Sequence, residues 1–163
     1  MIIGIDPGNA GALAFFDKGV AVSVLDMPVL KMEGKGKTKK GNIKVHTVID
    51  EQLLREHLYE RINIEHVFIE KSQSMPGQGA PATFNYACGY GIIRGICVGL
   101  QIPYTLVHPA TWRKALMKDM DKGKGSSIIR AKQLFPNMDI GKKDGRAEAL
   151  LIGWYGIKFI FGD

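Results

Sequence analysis

Four acidic residues stand where a carboxylate can do chemistry. Asp6 closes the apolar run Met1-Ile2-Ile3-Gly4-Ile5 and is followed at once by the turn residues Pro7-Gly8-Asn9. Glu70 closes a second short run, His66-Val67-Phe68-Ile69. Asp144 and Glu148 are four apart at the head of a helical stretch, so they share one face, which Leu151 and Tyr155 continue toward the interior. Each acid also has an ordinary structural reading: a turn residue at Asp6, a solvated strand end at Glu70, a helix N-cap at Asp144, an ion-pair partner for Arg146 or a lysine at Glu148. Taken together they imply more. If the strands ending in Asp6 and Glu70 are neighbours, the inward face of the last helix completes a cluster of four carboxylates. Bare carboxylates that close repel, and one or more keeps a proton at neutral pH. A divalent cation removes the conflict. Oxygen donors without His or Cys suit Mg²⁺ or Mn²⁺ rather than zinc. Four acids can hold two ions about 4 Å apart, which clamps the attacking and leaving oxygens of a phosphodiester.

The charge of the chain fits such a substrate. The formal net charge is +6, which favours polyanionic partners. Lys31, Lys35, Lys37, Lys39, Lys40 and Lys44 fall in one short stretch opposed only by Glu33. A second group comprises Arg113, Lys114, Lys118, Lys122, Lys124, Arg130 and Lys132, diluted by Asp119 and Asp121. Lys142 and Lys143 directly precede the acidic helix, where they can meet the scissile phosphate or simply solvate a turn. A basic protein with an acidic cluster is expected to cut a nucleic-acid backbone, the acids performing the chemistry and the lysines holding the substrate.

The elements that must position these residues are legible from periodicity. Residues 1–6, 12–16 and 20–27 read as three consecutive antiparallel strands, the last two joined by the turn Asp17-Lys18-Gly19. The Lys/Gly-rich segment 31–44 is too polar to pack and is expected to be an exposed loop or mobile arm. From Asp50 to Arg61, with Leu53, Leu54, Leu58 and Ile62 at helical spacing, an amphipathic helix is expected. Residues 66–70 read as a buried strand, 71–82 as a loop, 84–100 as a helix and 104–107 as a fifth strand. Helices are expected at 109–118 and 125–134, with a last one from Asp144 to about Phe159. Ala87, Gly91, Gly95 and Gly99 make a small-residue stripe whose cost in helix stability, about 1 kcal/mol per glycine, calls for close packing against the sheet or a second subunit. The expected fold is α/β: a five-stranded mixed sheet, three antiparallel strands followed by parallel ones, flanked by helices in a single domain.

Other classes are disfavoured. No run of 18 apolar residues exists, and the N-terminus reaches an acid too early for a signal peptide, so a cytoplasmic protein without membrane partner is expected. Cys88 and Cys97 lie in an apolar segment and read as reduced core thiols rather than metal ligands.

Several of these segments, in order, resemble RuvC-like Holliday junction resolvases, and most closely the short versions associated with bacteriophages. They are Ile3-Gly4-Ile5-Asp6-Pro7-Gly8, Phe68-Ile69-Glu70-Lys71, His108-Pro109-Ala110-Thr111-Trp112-Arg113-Lys114, Leu134-Phe135-Pro136 and Asp144-Gly145-Arg146-Ala147-Glu148-Ala149-Leu150-Leu151. The resemblance implies a ribonuclease H-like fold, a homodimer that nicks two strands of a four-way junction symmetrically, and Asp6 and Glu70 as strand-borne metal ligands. The final helix would supply the remaining ligands. The sequence departs from the family there: bacterial RuvC carries those acids three apart, whereas Gly145 lies three before Glu148 and Asp144 four before. The family also has an aromatic wedge after the Glu strand, where this chain has Met75, with Phe84 further on. The resemblance draws the glycine stripe toward a subunit contact.

The expected activity is therefore Mg²⁺- or Mn²⁺-dependent, two-ion hydrolysis leaving 5′ phosphates, with Asp6 bridging the ions and Glu70, Asp144 and Glu148 holding them. The expected DNA contacts are Lys35, Lys37, Lys39, Lys40, Met75, Arg113, Lys114, Lys122, Lys124, Lys142 and Lys143. Two alternatives share the fold: a nuclease acting on RNA–DNA hybrids or flaps, and a DNA-binding module without metal. The Gly-Ile-Asp-Pro-Gly opening also resembles actin-like ATPases and sugar kinases, but those need two such halves and this chain has one, with no Walker-type loop, so no nucleotide cofactor is expected.

Overall fold

The computed structural model describes residues 1–163 apart from 38, 62, 72–76, 78, 122, 124 and 163. In chain order the elements are β1 (Ile2–Asp6), β2 (Ala12–Asp17), β3 (Val20–Asp26), β4 (Val29–Lys37), β5 (Ile43–Ile49), α1 (Glu51–Tyr59), β6 (His66–Glu70), α2 (Ala80–Gly99), β7 (Tyr104–Val107), α3 (Pro109–Leu116), α4 (Ser126–Leu134) and α5 (Asp144–Tyr155). A π-helical turn, Gly156–Phe161, follows α5.

The main sheet has the order β3-β2-β1-β6-β7. β1, β2 and β3 are antiparallel, while β6 runs parallel to both β1 and β7, which is the expected mixed sheet. Lys18 and Gly19 both take positive φ in the β2–β3 turn, the conformation whose twist matches a two-residue hairpin. The central strands are apolar almost throughout because both faces of the sheet are covered. Ile3, Ile5, Leu13, Phe15, Val67 and Ile69 point to a core shared with α1 and α2. Ile2, Ala12, Ala14, Phe16 and Phe68 point to the opposite core, shared with α3, α4 and α5.

The second core depends on close approach. A Cβ at Gly4 would lie 2.2 Å from the Ala149 carbonyl oxygen and 2.4 Å from the Gly153 amide, so only glycine lets α5 lie directly on β1. This contact carries α5 across the sheet and brings its N-terminal half to the C-terminal ends of β1 and β6.

Three expectations need correction. The Lys/Gly segment is not a loop or mobile arm. Val29–Lys37 and Ile43–Ile49 form a two-stranded antiparallel ribbon, β4–β5, separate from the main sheet. Its far end is exposed, but Ile49 is buried in the core and Asn9 Nδ2 donates to the Thr47 carbonyl at 2.7 Å, so the base is fixed. The alternation Val45-His46-Thr47-Val48-Ile49 outweighs the glycines once β4 supplies hydrogen-bond partners. Second, α2 begins at Ala80 with Pro81 in its first turn, earlier than expected. Its buried face is Gly89, Ile93 and Cys97, whereas added Cβ atoms at Gly91, Gly95 and Gly99 would meet nothing within 4 Å. The stripe therefore faces away from the sheet. Cys97 is a core thiol, but Cys88 is exposed. Third, α-helical geometry ends at Tyr155, and the remaining turn widens into the π form where Gly156 abuts the Phe68 ring. α1 ends at Tyr59, and Ile62 lies outside the described residues.

Candidate active site

Asp6 and Glu70 are the last residues of adjacent parallel strands, in a register that pairs Ile5 with Ile69. Alternation from Gly4 and Phe68 turns both side chains to the α5 face. Glu148 approaches from α5, and its charge acts on both strand acids. Asp6 is pushed up to about 7, first by burial and then by Glu148 and Glu70, against the Gly8 amide that donates to its Oδ1 at 3.3 Å. Glu70 is also raised, first by burial. The three carboxylates thus share one side of the sheet.

Asp144 does not join them as closely. It is exposed in the first turn of α5, the N-cap being Lys143, and the acids that raise Asp6 are Glu148 and Glu70. Gly145 explains why the acid spacing differs from the RuvC pattern. A Cβ there would lie 2.2 Å from the Ala10 carbonyl oxygen, so the position three before Glu148 has no room for a side chain. Among the described residues Glu148 pairs with Arg113 rather than with Arg146 or a lysine. Arg146 instead ties the head of α5 to Asp26 at 2.6 Å and Asp139 at 2.8 Å.

Two helices that the sequence did not associate with the acids hold them in place. Val107 of β7 pairs with Glu70, and α3 starts two residues later, its N-terminus set by His108 and Pro109. Trp112, fully buried, therefore reaches back to donate its indole N–H to Glu70 Oε1 at 2.8 Å. The next residue, Arg113, ion-pairs with Glu148 Oε1 at 2.6 Å, and Ser127 Oγ of α4 donates to the same oxygen at 3.0 Å. Trp112 and Ser127 went unread because nothing in sequence spacing links residues 42 and 21 positions from their partners. The only hint was Trp112 inside the segment that resembles the resolvases.

Arg113 and Ser127 also line a cleft of about 630 Å³ that runs outward past Ala110, Lys114, Met117 and Lys118. The two residues that hold Glu148 thus stand in the wall of a cleft that also carries Lys114 and Lys118 of the second basic cluster. Lys35, Lys37, Lys39 and Lys40 are exposed on or beside the ribbon, and Lys142 and Lys143 are exposed just before α5. Met75, Lys122 and Lys124 lie outside the described residues.

A hard divalent cation fits this donor set in chemistry: three carboxylates, oxygen donors only, with the strand acids held toward their protonated forms by burial and by Glu148. The side chains are not drawn up as a finished cage. Among the described residues no group of three or more His, Cys, Asp or Glu is close enough together to hold an ion, and Glu148 is engaged by Arg113 and Ser127. No helix among the described residues is long and apolar enough to cross a membrane.

No protein-family model and no curated protein matches the chain. Solved structures do. Thermus thermophilus RuvC is similar over 98% of this chain and 95% of its own, with a TM-score of 0.62 and 16% identity. The same organism's RuvC in complex with a Holliday junction substrate gives 0.63 and 14%, over 98% of this chain and 94% of that one. The Fowlpox virus resolvase bound to Holliday junction DNA gives 0.53 and 18%, over 94% and 95%. The fold of this chain is the ribonuclease H-like fold of RuvC.

Proposed function

We propose that the protein is a Mg²⁺-dependent endonuclease that resolves four-way DNA junctions as a homodimer. The observation that carries this reading is the convergence of Asp6, Glu70 and Glu148 on one side of a sheet whose fold is shared with two resolvases solved on junction DNA. Asp6, Glu70 and Glu148 would hold the metal, and the exposed Asp144, one turn earlier on α5, would complete the set. Two Mg²⁺ (or Mn²⁺) ions held by these residues would supply charge neutralisation of the phosphodiester and water activation, the chemistry of hydrolysis to a 5′ phosphate. Trp112 keeps one Glu70 oxygen turned to its indole and leaves the other for the site. Arg113 pairs with Glu148 in the free protein and faces the incoming phosphate from the cleft, with Lys114 further along it. Lys142, Lys143 and the ribbon lysines extend this positive surface; Lys122, Lys124 and Met75, outside the described residues, are proposed as DNA contacts on their sequence positions alone.

The dimer is formed through α2. Its outward stripe of Ala87, Gly91, Gly95 and Gly99 leaves room for a close helix contact, and Phe84 and Val98 are 68% and 65% exposed. A two-fold axis there gives each copy one strand of a symmetric substrate.

Cutting assays separate the possibilities. A labelled four-way junction, its linear arms, a flap and an RNA–DNA hybrid are each incubated with Mg²⁺. Preferential paired nicking of the junction is expected. Preferential cutting of the flap or hybrid would reassign the substrate, and failure to bind Mn²⁺ would make the chain a DNA-binding module.

A further inference from the structure

The β4–β5 ribbon has no packing role along most of its length, and its shape and charge identify a partner. Its strands are nine and seven residues long. At about 3.3 Å per residue it is roughly 20–30 Å long, or about six to nine base-pair steps of 3.4 Å. Exposed apolar side chains, Leu30, Met32, Ile43 and Val45, alternate with lysines. A two-stranded ribbon with its side chains is about 10 Å thick, which suits a major groove about 12 Å wide but not a minor groove about 6 Å wide. Lysines at the rim then meet the flanking phosphates, and Ile43 and Val45, on the face opposite Leu30 and Met32, meet base edges and thymine methyl groups. The base of the ribbon is tied to the active-site turn: Asn9, three residues after Asp6, donates to the Thr47 carbonyl at 2.7 Å. Asp50 N–H donates to the Pro28 carbonyl at 2.9 Å and closes the same base.

We propose that the β4–β5 ribbon seats in the major groove of one duplex arm beside the cut and so sets which phosphate reaches Asp6. The inference rests on DNA being the substrate and goes beyond it by assigning a groove, an arm and a reach. The test is dimethyl sulfate modification of a long-armed junction bound by the wild-type protein and by Val45→Glu, in chelator so that no strand is cut. Val45 is an exposed ribbon residue outside the acid cluster. Wild type should protect guanine N7, a major-groove atom, within about nine base pairs of the branch. Val45→Glu should lose that protection and bind about tenfold or more weakly, because a carboxylate is forced against the polyanion, while Val45→Gln, which places no like charge opposite Glu33, keeps the ribbon and checks that the loss is electrostatic. Protection of adenine N3 instead, or an N7 footprint identical in wild type and Val45→Glu, would overturn the proposal. Because the footprint is read without cleavage, a protein that protects N7 yet cuts no junction refutes only the resolvase reading. One that cuts junctions without N7 protection refutes only the ribbon.

Discussion

At the scale of single residues, Asp6 is held against its own ionisation by burial and by the neighbouring Glu148. Its carboxyl has a value near 7 in the fold against 3.8 when exposed, so the folded protein binds a proton there that the unfolded chain releases. Stability is therefore lost as pH rises from about 3.8 through 7, the reverse of an ion-paired aspartate. In chelator at pH 8, Asp6→Asn should be more stable than wild type by an amount on the order of 4 kcal/mol, and the difference should vanish near pH 4, as urea melts across that range would show. The same variant should bind DNA normally. Trp112 makes a separate prediction. Trp112→Phe keeps the buried ring but removes the donor to Glu70, and loss of such a supporting hydrogen bond typically weakens metal affinity 10–100-fold. Titration with Mn²⁺ followed by calorimetry measures it. Unchanged affinity would mean that Glu70 is oriented by the strand alone.

At the scale of elements, the site exists because α5 touches β1 backbone to backbone. Gly4→Ala would press a methyl into the Ala149 carbonyl, and overpacking of this kind costs about 1–3 kcal/mol or more, with Glu148 displaced from Asp6. A lower urea midpoint together with reduced cleavage is expected; full activity would detach the site from this contact. These elements were legible in the sequence for a physical reason. β1 and the centre of β6 are buried on both faces, so each reads as an apolar run closed by the acid that the site needs, while the head of α5 shows as small buried residues, Gly145, Ala147 and Ala149, spaced between its charges. The ribbon was not legible because its strands are stabilised by each other rather than by burial, and lysine and glycine hid the alternation of Val45 to Ile49. Arg113 was legible as a basic residue but not as the partner of Glu148, since that pairing depends on β7 lying next to β6, which no local pattern encodes. The outward turn of the glycine stripe was likewise undetermined until Gly89, Ile93 and Cys97 were seen to take the buried face.

At the scale of the whole molecule, charge and symmetry decide how the site meets a branched substrate. Changing Lys35, Lys37, Lys39 and Lys40 to alanine should weaken junction binding and flatten its dependence on salt by roughly 0.9 in log–log slope for each lost phosphate contact. An unaltered slope would leave these lysines solvated on the ribbon. Gly95→Glu on α2 should yield monomers in sedimentation velocity, single nicks in place of paired ones, and an unchanged fold, because its side chain points into open space. The claim beneath all of this is that the acids at the ends of β1 and β6 are a metal-dependent cutting centre. Its most direct test is a labelled four-way junction incubated with wild type and Asp6→Asn, each with Mg²⁺ and with chelator. Cleavage only by wild type with Mg²⁺, alongside undiminished binding by the variant, is the predicted result; an Asp6→Asn protein that cuts at the wild-type rate would contradict the account.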